Sequence, residues 1–223
     1  MNFKLFCGAI IKFLLGVILV GVLVFLPANT LTYFNGWLFM GILFIPMFIA
    51  GIIMMIKNPK LLQSRLQAKE KQREQSVIIK LSGLMFIAGF IVAGLDYRYK
   101  WIELPNYIPY IFSIVFIIGY ILYAIVLKQN TYLSRTIKVE EGQKVIDTGL
   151  YSIVRHPMYF ATIILFLSMP LVLGSLISFF IFLLYPILIY IRAINEEKLL
   201  IKELDGYDEY MKKVKKRIIP FIL

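Results

Sequence analysis

Long uninterrupted apolar runs alternate along this chain with shorter polar stretches, and the runs decide its class. The first covers about Phe6 to Leu26, the second about Trp37 to Ile56, the third about Val77 to Leu95 and the fourth about Tyr107 to Leu127. Each holds 19 to 21 residues, enough at ~1.5 Å per residue to cross a ~30 Å hydrocarbon layer as an α-helix. Two shorter runs follow, about Met158 to Leu173 and about Leu176 to Ile191. Pro170 and the Gly174-Ser175 pair lie near their junction and predict a tight helical hairpin that enters the membrane less deeply. The pattern predicts an all-α, polytopic integral membrane protein with about six apolar helices, the last two forming a short hairpin.

The polar stretches carry weaker signals. Thr131 to Val139 alternates faintly, and Glu141-Gly142 and Thr148-Gly149 are turn signals. Pro157 suits the first turn of the following helix, where its missing N–H costs nothing. Arg155 and His156 then fall at a helix N-terminus, whose free N–H groups favour an anionic ligand. After Ile191 the helical pattern continues through Arg192, Glu196, Glu197 and Leu200, with Arg192 and Glu196 four apart on one face. Gly206 punctuates it, and Tyr207, Tyr210, Val214 and Ile218 recur at helical spacing beside a lysine-rich run.

Composition agrees with a membrane protein: 60% of the residues are hydrophobic and mean hydropathy is +0.81. The net charge of +11 does not point to nucleic acid, because the basic residues lie between the apolar runs rather than on a separable soluble module. Lys57, Lys60, Arg65, Lys69, Lys71 and Arg73 follow the second run; Lys128, Arg135, Lys138, Lys144 and Arg155 follow the fourth; eight Lys and Arg follow Ile191. Pro27 to Gly36 and the hairpin tip carry none. Six spans with both termini cytoplasmic put every basic connection on one side, as the positive-inside rule requires. The apolar run to Leu26 is long and lacks a small-residue cleavage site, which predicts a retained first span. Trp37, Tyr97, Tyr99, Trp101 and Tyr107 fit interfacial anchoring. The lone Cys7 offers no intramolecular disulfide.

The candidate chemistry gathers on either side of the final hairpin. His156 is the only histidine in the chain and stands beside Arg155 where an apolar run begins. Each feature also has an ordinary reading: Arg155 and His156 as headgroup-facing charges, Arg192 with Glu196 as a surface ion pair worth ~0.3–0.5 kcal/mol, the lysine run as a lipid-headgroup face, Tyr207 and Tyr210 as packing or interfacial residues. Physical reasoning on these residues stops at a polar site where the last hairpin leaves the membrane.

Gly149-Leu150-Tyr151 followed by Val154-Arg155-His156-Pro157-Met158-Tyr159 resembles the core of the isoprenylcysteine carboxyl methyltransferase family, and more loosely the membrane phospholipid N-methyltransferases. Arg192 with Glu196-Glu197, then Leu204-Asp205-Gly206-Tyr207-Asp208-Glu209-Tyr210 and the closing Arg217-Ile218-Ile219-Pro220-Phe221, resembles the family's second block. The two blocks stand in the family's order around an apolar hairpin, over about Gln129 to Phe221. The resemblance implies S-adenosylmethionine (SAM) as methyl donor, bound without a Rossmann domain, and an amphiphilic small-molecule or prenylated acceptor reached from the membrane lipids. It assigns donor binding to Gln143, Lys144, Val145, Ile146, Tyr151, His156, Pro157, Met158, Tyr159 and Glu196, and it sets Arg192 against the acceptor as the catalytic and substrate-binding residue. It divides the chain into a four-span membrane region, 1–128, and a methyltransferase region, 129–223. Gln143 stands where the family commonly has histidine, and Ala161 where it often has glycine.

Carboxyl O-methylation is the reaction expected first; an amine acceptor would need Glu196, Glu197 or His156 as base. Two other classes compete. A steroid-reductase-type membrane enzyme using NADPH shares an Arg-His-Pro-x-Tyr segment and a Tyr-rich tail. A transporter or assembly factor predicts ionisable residues deep within several spans, where the first four runs have only Lys12 and Lys80, near their ends.

Overall fold

The computed structural model describes residues 3–66, 73–133, 139 and 142–220. Lys69, Lys71, Arg135, Lys138, Glu141 and Phe221 therefore lie outside the described residues, as does most of the faintly alternating stretch. The apolar runs become α1 (Phe3–Ala28), α2 (Phe34–Lys57), α4 (Arg73–Tyr99), α5 (Ile108–Gln129) and α6 (Pro157–Val172), then α7 (Leu176–Phe182) and α8 (Leu184–Glu203). A short helix, α3 (Pro59–Leu66), follows α2, a single 3-10 turn covers Gly149–Ser152, and α9 (Tyr207–Lys213) follows α8. No strand occurs among the described residues, so the chain is an all-α, polytopic membrane protein.

The last run corrects the expected short hairpin. α7 and α8 make one path, Leu176–Glu203, of 28 residues, long and apolar enough to cross a bilayer, whereas its partner α6 has only 16. The path bends at Leu183 because Pro186 has no N–H to offer the Phe182 carbonyl one turn back. The helix then runs on past the first charges at Arg192 and Glu196. A hydropathy reading stops at those charges, but the hydrogen-bonded ladder does not.

α4 and α6 form the centre. α4 packs on α1, α7 and α8, and α6 packs on α5, α7 and α8. Aromatic rings fill the middle: Phe86 meets Phe182 edge-on at 5.4 Å, and Phe39 meets Phe90 at 5.5 Å. Ile11, Leu14, Leu15, Ile18, Leu19 and Val22 of α1 face outward, the lipid-facing stripe a membrane helix keeps.

Polar clasps pin the two ends of the bundle. At the opposite, sparsely charged end, buried Asp96 accepts from Ser175 Oγ (2.6 Å) and the Ile102 N–H (3.1 Å), and Tyr33 donates its hydroxyl to the Leu173 carbonyl while stacking on Tyr97. The connection between α6 and α7 is thereby tied to the ends of α2 and α4. At the basic end, Lys12 Nζ donates to the Leu66 carbonyl (2.8 Å), one of the last orphan carbonyls of α3. Arg65 donates to the Tyr123 hydroxyl of α5.

Where α1 and α4 approach most closely, Gly94 leaves room that no other residue does: a Cβ there would sit 2.5 Å from the Val24 carbonyl oxygen. Backbone cannot turn aside as a side chain can. Gly94→Ala should therefore lower the thermal unfolding midpoint in detergent by the equivalent of about 1–3 kcal/mol. Gly83→Ala, with nothing within 4 Å of its added carbon, should leave the midpoint unchanged.

Candidate active site

The segment between α5 and α6 is held by side chains rather than by a ladder of its own. Gln129, the last residue of α5, accepts from the Leu150 N–H (3.1 Å). Its amide occupies the space a side chain would need at Gly149, where φ is +62°. Asn130 donates to the Tyr151 hydroxyl (3.1 Å), and Tyr210 donates to the Tyr151 carbonyl (2.7 Å). Burial raises the pKa of the Tyr151 and Tyr210 phenols above the ordinary tyrosine value, so both keep their protons.

Glu197 is the hub of the basic end. Its Oε1 accepts from Arg155 Nε at 2.7 Å and lies 3.2 Å from His156 Nε2, and its Oε2 accepts from Arg217 Nε at 2.9 Å. The Arg155 and Glu197 side chains are 6% and 4% exposed, too little for water to compensate a broken pair. Arg155 also donates to the Val214 and Lys215 carbonyls (2.8 and 2.9 Å), while Arg217 reaches the Tyr190 hydroxyl (2.8 Å). Three segments distant in sequence meet on this one carboxylate: the turn before α6, the polar end of α8 and the stretch after α9.

That stretch corrects two expectations. The helical spacing of Tyr207, Tyr210, Val214 and Ile218 is not carried by one helix; α9 ends at Lys213 and the backbone beyond it is extended. Extended, it offers its carbonyls sideways: Lys216 and Arg217 accept from the Arg155 and His156 N–H groups (2.9 and 2.8 Å). Pro157 does open α6, but the two N–H groups just ahead of it are thus spent on backbone and cannot hold an anion. Nor is Arg155 a headgroup-facing charge.

The face of α8 one residue away from Glu197 looks into a cleft that opens to solvent. Here Tyr159 donates its hydroxyl to Glu196 and accepts from Arg192 Nε (3.2 Å). Tyr159 therefore links Arg192 to Glu196, and Arg192 is buried rather than exposed on the surface. The His156 ring stacks parallel to Tyr159 at 5.2 Å, its Nδ1 3.8 Å from Glu196.

Of the residues singled out in the sequence, Gln143, Lys144, Val145, Ile146, Tyr151, His156, Met158, Tyr159, Arg192 and Glu196 all line this cleft. Pro157 is not among the lining residues; its part is to start the helix. Sequence reasoning missed Asn130, Leu200, Leu204 and Tyr207 as walls of the cleft, and Glu197 as the hub beneath it. Leu200 had a usable signal, since Arg192, Glu196 and Leu200 recur every four residues on one helix face. Tyr207 had none.

Residues 111–202 match a family model. The family is isoprenylcysteine carboxyl methyltransferase (ICMT). The ICMT match runs from α5 to nearly the end of α8. It begins ahead of the stretch whose motifs resembled the family and stops short of α9 and Arg217. The chain is also similar to the Delta(14)-sterol reductase TM7SF2 of Mus musculus, 33% identical over 90 residues. That alignment covers 39% of this chain and 22% of the reductase, so the chain spans about a fifth of the length of the curated relative it matches.

Because Glu197 balances two arginines out of water, Glu197→Gln should cost about 3 kcal/mol or more of stability, read as a lowered unfolding midpoint in detergent. Asp147→Asn, which breaks an exposed contact with Lys213 (2.7 Å), should leave that midpoint where it is.

Proposed function

We propose that this protein is a membrane methyltransferase that uses SAM to methylate a lipid-like or prenylated acceptor at a carboxyl group. The observation that carries the reading is the Arg192–Tyr159–Glu196 link in the wall of a solvent-connected cleft, inside the segment that matches ICMT.

The residues fit such a donor. The cleft is open to solvent and lined by both polar and apolar side chains. Val145, Met158, Leu200 and Leu204 supply apolar wall for a flat base, and Gln143 and Glu196 supply polar partners. When bound, SAM carries a methyl group on a positively charged sulfur, open to in-line displacement. Glu196 provides counter-charge to a cationic ligand, and the His156 and Tyr159 rings offer polarisable faces beside it. Arg192, buried in the cleft wall and held at Nε by Tyr159, supplies the planar cation that faces an acceptor carboxylate. A carboxylate is already ionised at neutral pH and asks for no base. With both oxygens of Glu197 engaged, the chain contributes alignment and exclusion of water more than proton transfer.

Residues 1–128 serve in this reading as the membrane region through which the acceptor arrives, and 129–223 as the methyltransferase region. Both termini and the cleft face the cytoplasm, supported by the basic residues gathered at that end of the bundle. A second reading, a reductase using NADPH, is favoured by the similarity to the mouse sterol reductase and by nothing in the cleft.

S-adenosylhomocysteine should raise the unfolding temperature of the purified protein and NADPH should not; the reverse result selects the reductase. Membranes supplied with methyl-labelled SAM should accumulate label as a base-labile ester, and label that survives mild base points to an amine acceptor instead. Glu196→Gln should abolish the S-adenosylhomocysteine shift. Arg192→Lys should keep that shift but lower turnover of the acceptor at least about tenfold, since an ammonium cannot replace a planar fork.

A further inference from the structure

Two buried side-chain polar atoms among the described residues have no hydrogen-bond partner: Gln75 Oε1 and the Tyr207 hydroxyl. Gln75, on α4, donates through its amide to the Arg192 carbonyl of α8 and is not among the residues that line the cleft. Tyr207 lines the cleft itself while being only 4% exposed. A phenol out of water with nothing to donate to carries an unfavourable desolvation cost, and such groups normally have a partner. Nothing in the packing of Tyr207 requires the hydroxyl. Its ring sits in an apolar cluster with Leu204, Tyr210 and Val214, joined by Val145 and Leu200, and meets the Tyr210 ring at 5.6 Å. Phenylalanine would fill that space equally well.

The surroundings restrict what the hydroxyl can meet. Burial, then the nearby charges of Glu197 and Glu196, hold the phenol protonated, so it is a donor. The same two carboxylates make the neighbourhood unwelcoming to an anionic acceptor, and Arg155 is already committed to Glu197 and to two backbone carbonyls. An uncharged acceptor beside an apolar wall is what remains: a ring nitrogen of a base or an oxygen of a sugar.

We propose that Tyr207 is a ligand-binding residue that donates its hydroxyl to an uncharged acceptor on the nucleoside part of the bound methyl donor, not to the donor's carboxylate. The inference rests on the SAM reading above and adds a recognition residue from beyond the segment that matches ICMT. It gives α9 a binding role as well as a packing one.

The test uses the full chain in detergent, the variant Tyr207→Phe and two probes, S-adenosylhomocysteine and 5′-methylthioadenosine, which has the nucleoside but no carboxylate. Calorimetric titration should show both probes weakened by a similar factor, about tenfold, as for one lost hydrogen bond. The unfolding midpoint of the ligand-free variant should equal or exceed that of the parent, because the hydroxyl removed had no partner; a hydroxyl with only a structural role would lower it. Unchanged affinity for both probes overturns the role of Tyr207 while leaving the SAM reading in place. Weakening of S-adenosylhomocysteine alone overturns the nucleoside assignment and places the hydroxyl on the amino-acid part. If the parent chain binds neither probe, the SAM reading fails and the inference goes with it.

Discussion

A carboxylate buried among protein atoms must be matched by positive charge, and Glu197 imposes that condition on the whole basic end of the molecule. Arg155 comes from before α6, Arg217 from after α9 and His156 from the start of α6 itself, so neutralising one side chain on α8 brings three segments together. The start of α6 and the polar end of α8 also supply walls of the cleft, together with α9 and the connection between α5 and α6. One residue earlier on α8, about 100° around the helix, Glu196 faces the cleft and meets Tyr159 instead. Adjacent acidic residues thus take opposite parts, one sealed into the support and one facing the cleft, and the rotation of the helix decides which.

The membrane part of this architecture is legible in the sequence because lipid enforces a simple code. A run of some twenty apolar residues has few choices but to become a helix. The code weakens wherever charge enters. Arg192 ends the last apolar run, yet α8 continues to Glu203, since a polar helix end needs only hydrogen bonds and one supported face. The short α3 is invisible to hydropathy: its eight residues include Lys60, Gln63 and Arg65. In the site, the four-residue spacing of Arg192 and Glu196 places both on one face, but the hydroxyl that joins them comes from Tyr159, 33 positions before Arg192. The residues after α9 mislead for the same reason. Tyr207, Tyr210, Val214 and Ile218 keep a helical rhythm, and only contacts with Arg155, 60 positions before Lys215, show why the chain there is extended.

The two ends of the bundle are stabilised by different means. At the sparsely charged end Asp96, Ser175 and Tyr33 fix the α6–α7 connection with hydrogen bonds closed in on themselves, leaving little that a ligand would find. At the basic end the polar groups are more numerous and arranged in two tiers. The inner tier around Glu197 is satisfied within the protein, while the outer tier of Arg192, Tyr159, Glu196 and Tyr207 borders open space. Rigid support beneath and a polar lining above is what a site must have if it is to hold a reacting geometry.

The backbone hydrogen bonds from Arg155 and His156 to Lys216 and Arg217 also set an order of events. A ribosome delivers the turn before α6, the α6–α7 connection and α8 well before it reaches residue 217. Until the chain past α8 is made, the guanidinium of Arg155 lacks its two carbonyl partners, the carboxylate of Glu197 lacks Arg217, and the wall formed by α9 does not exist. The membrane helices are therefore synthesised before the residues that complete the support of the cleft. The helices of the bundle are thus complete in the growing chain while the side of the cleft built by α9 is still missing.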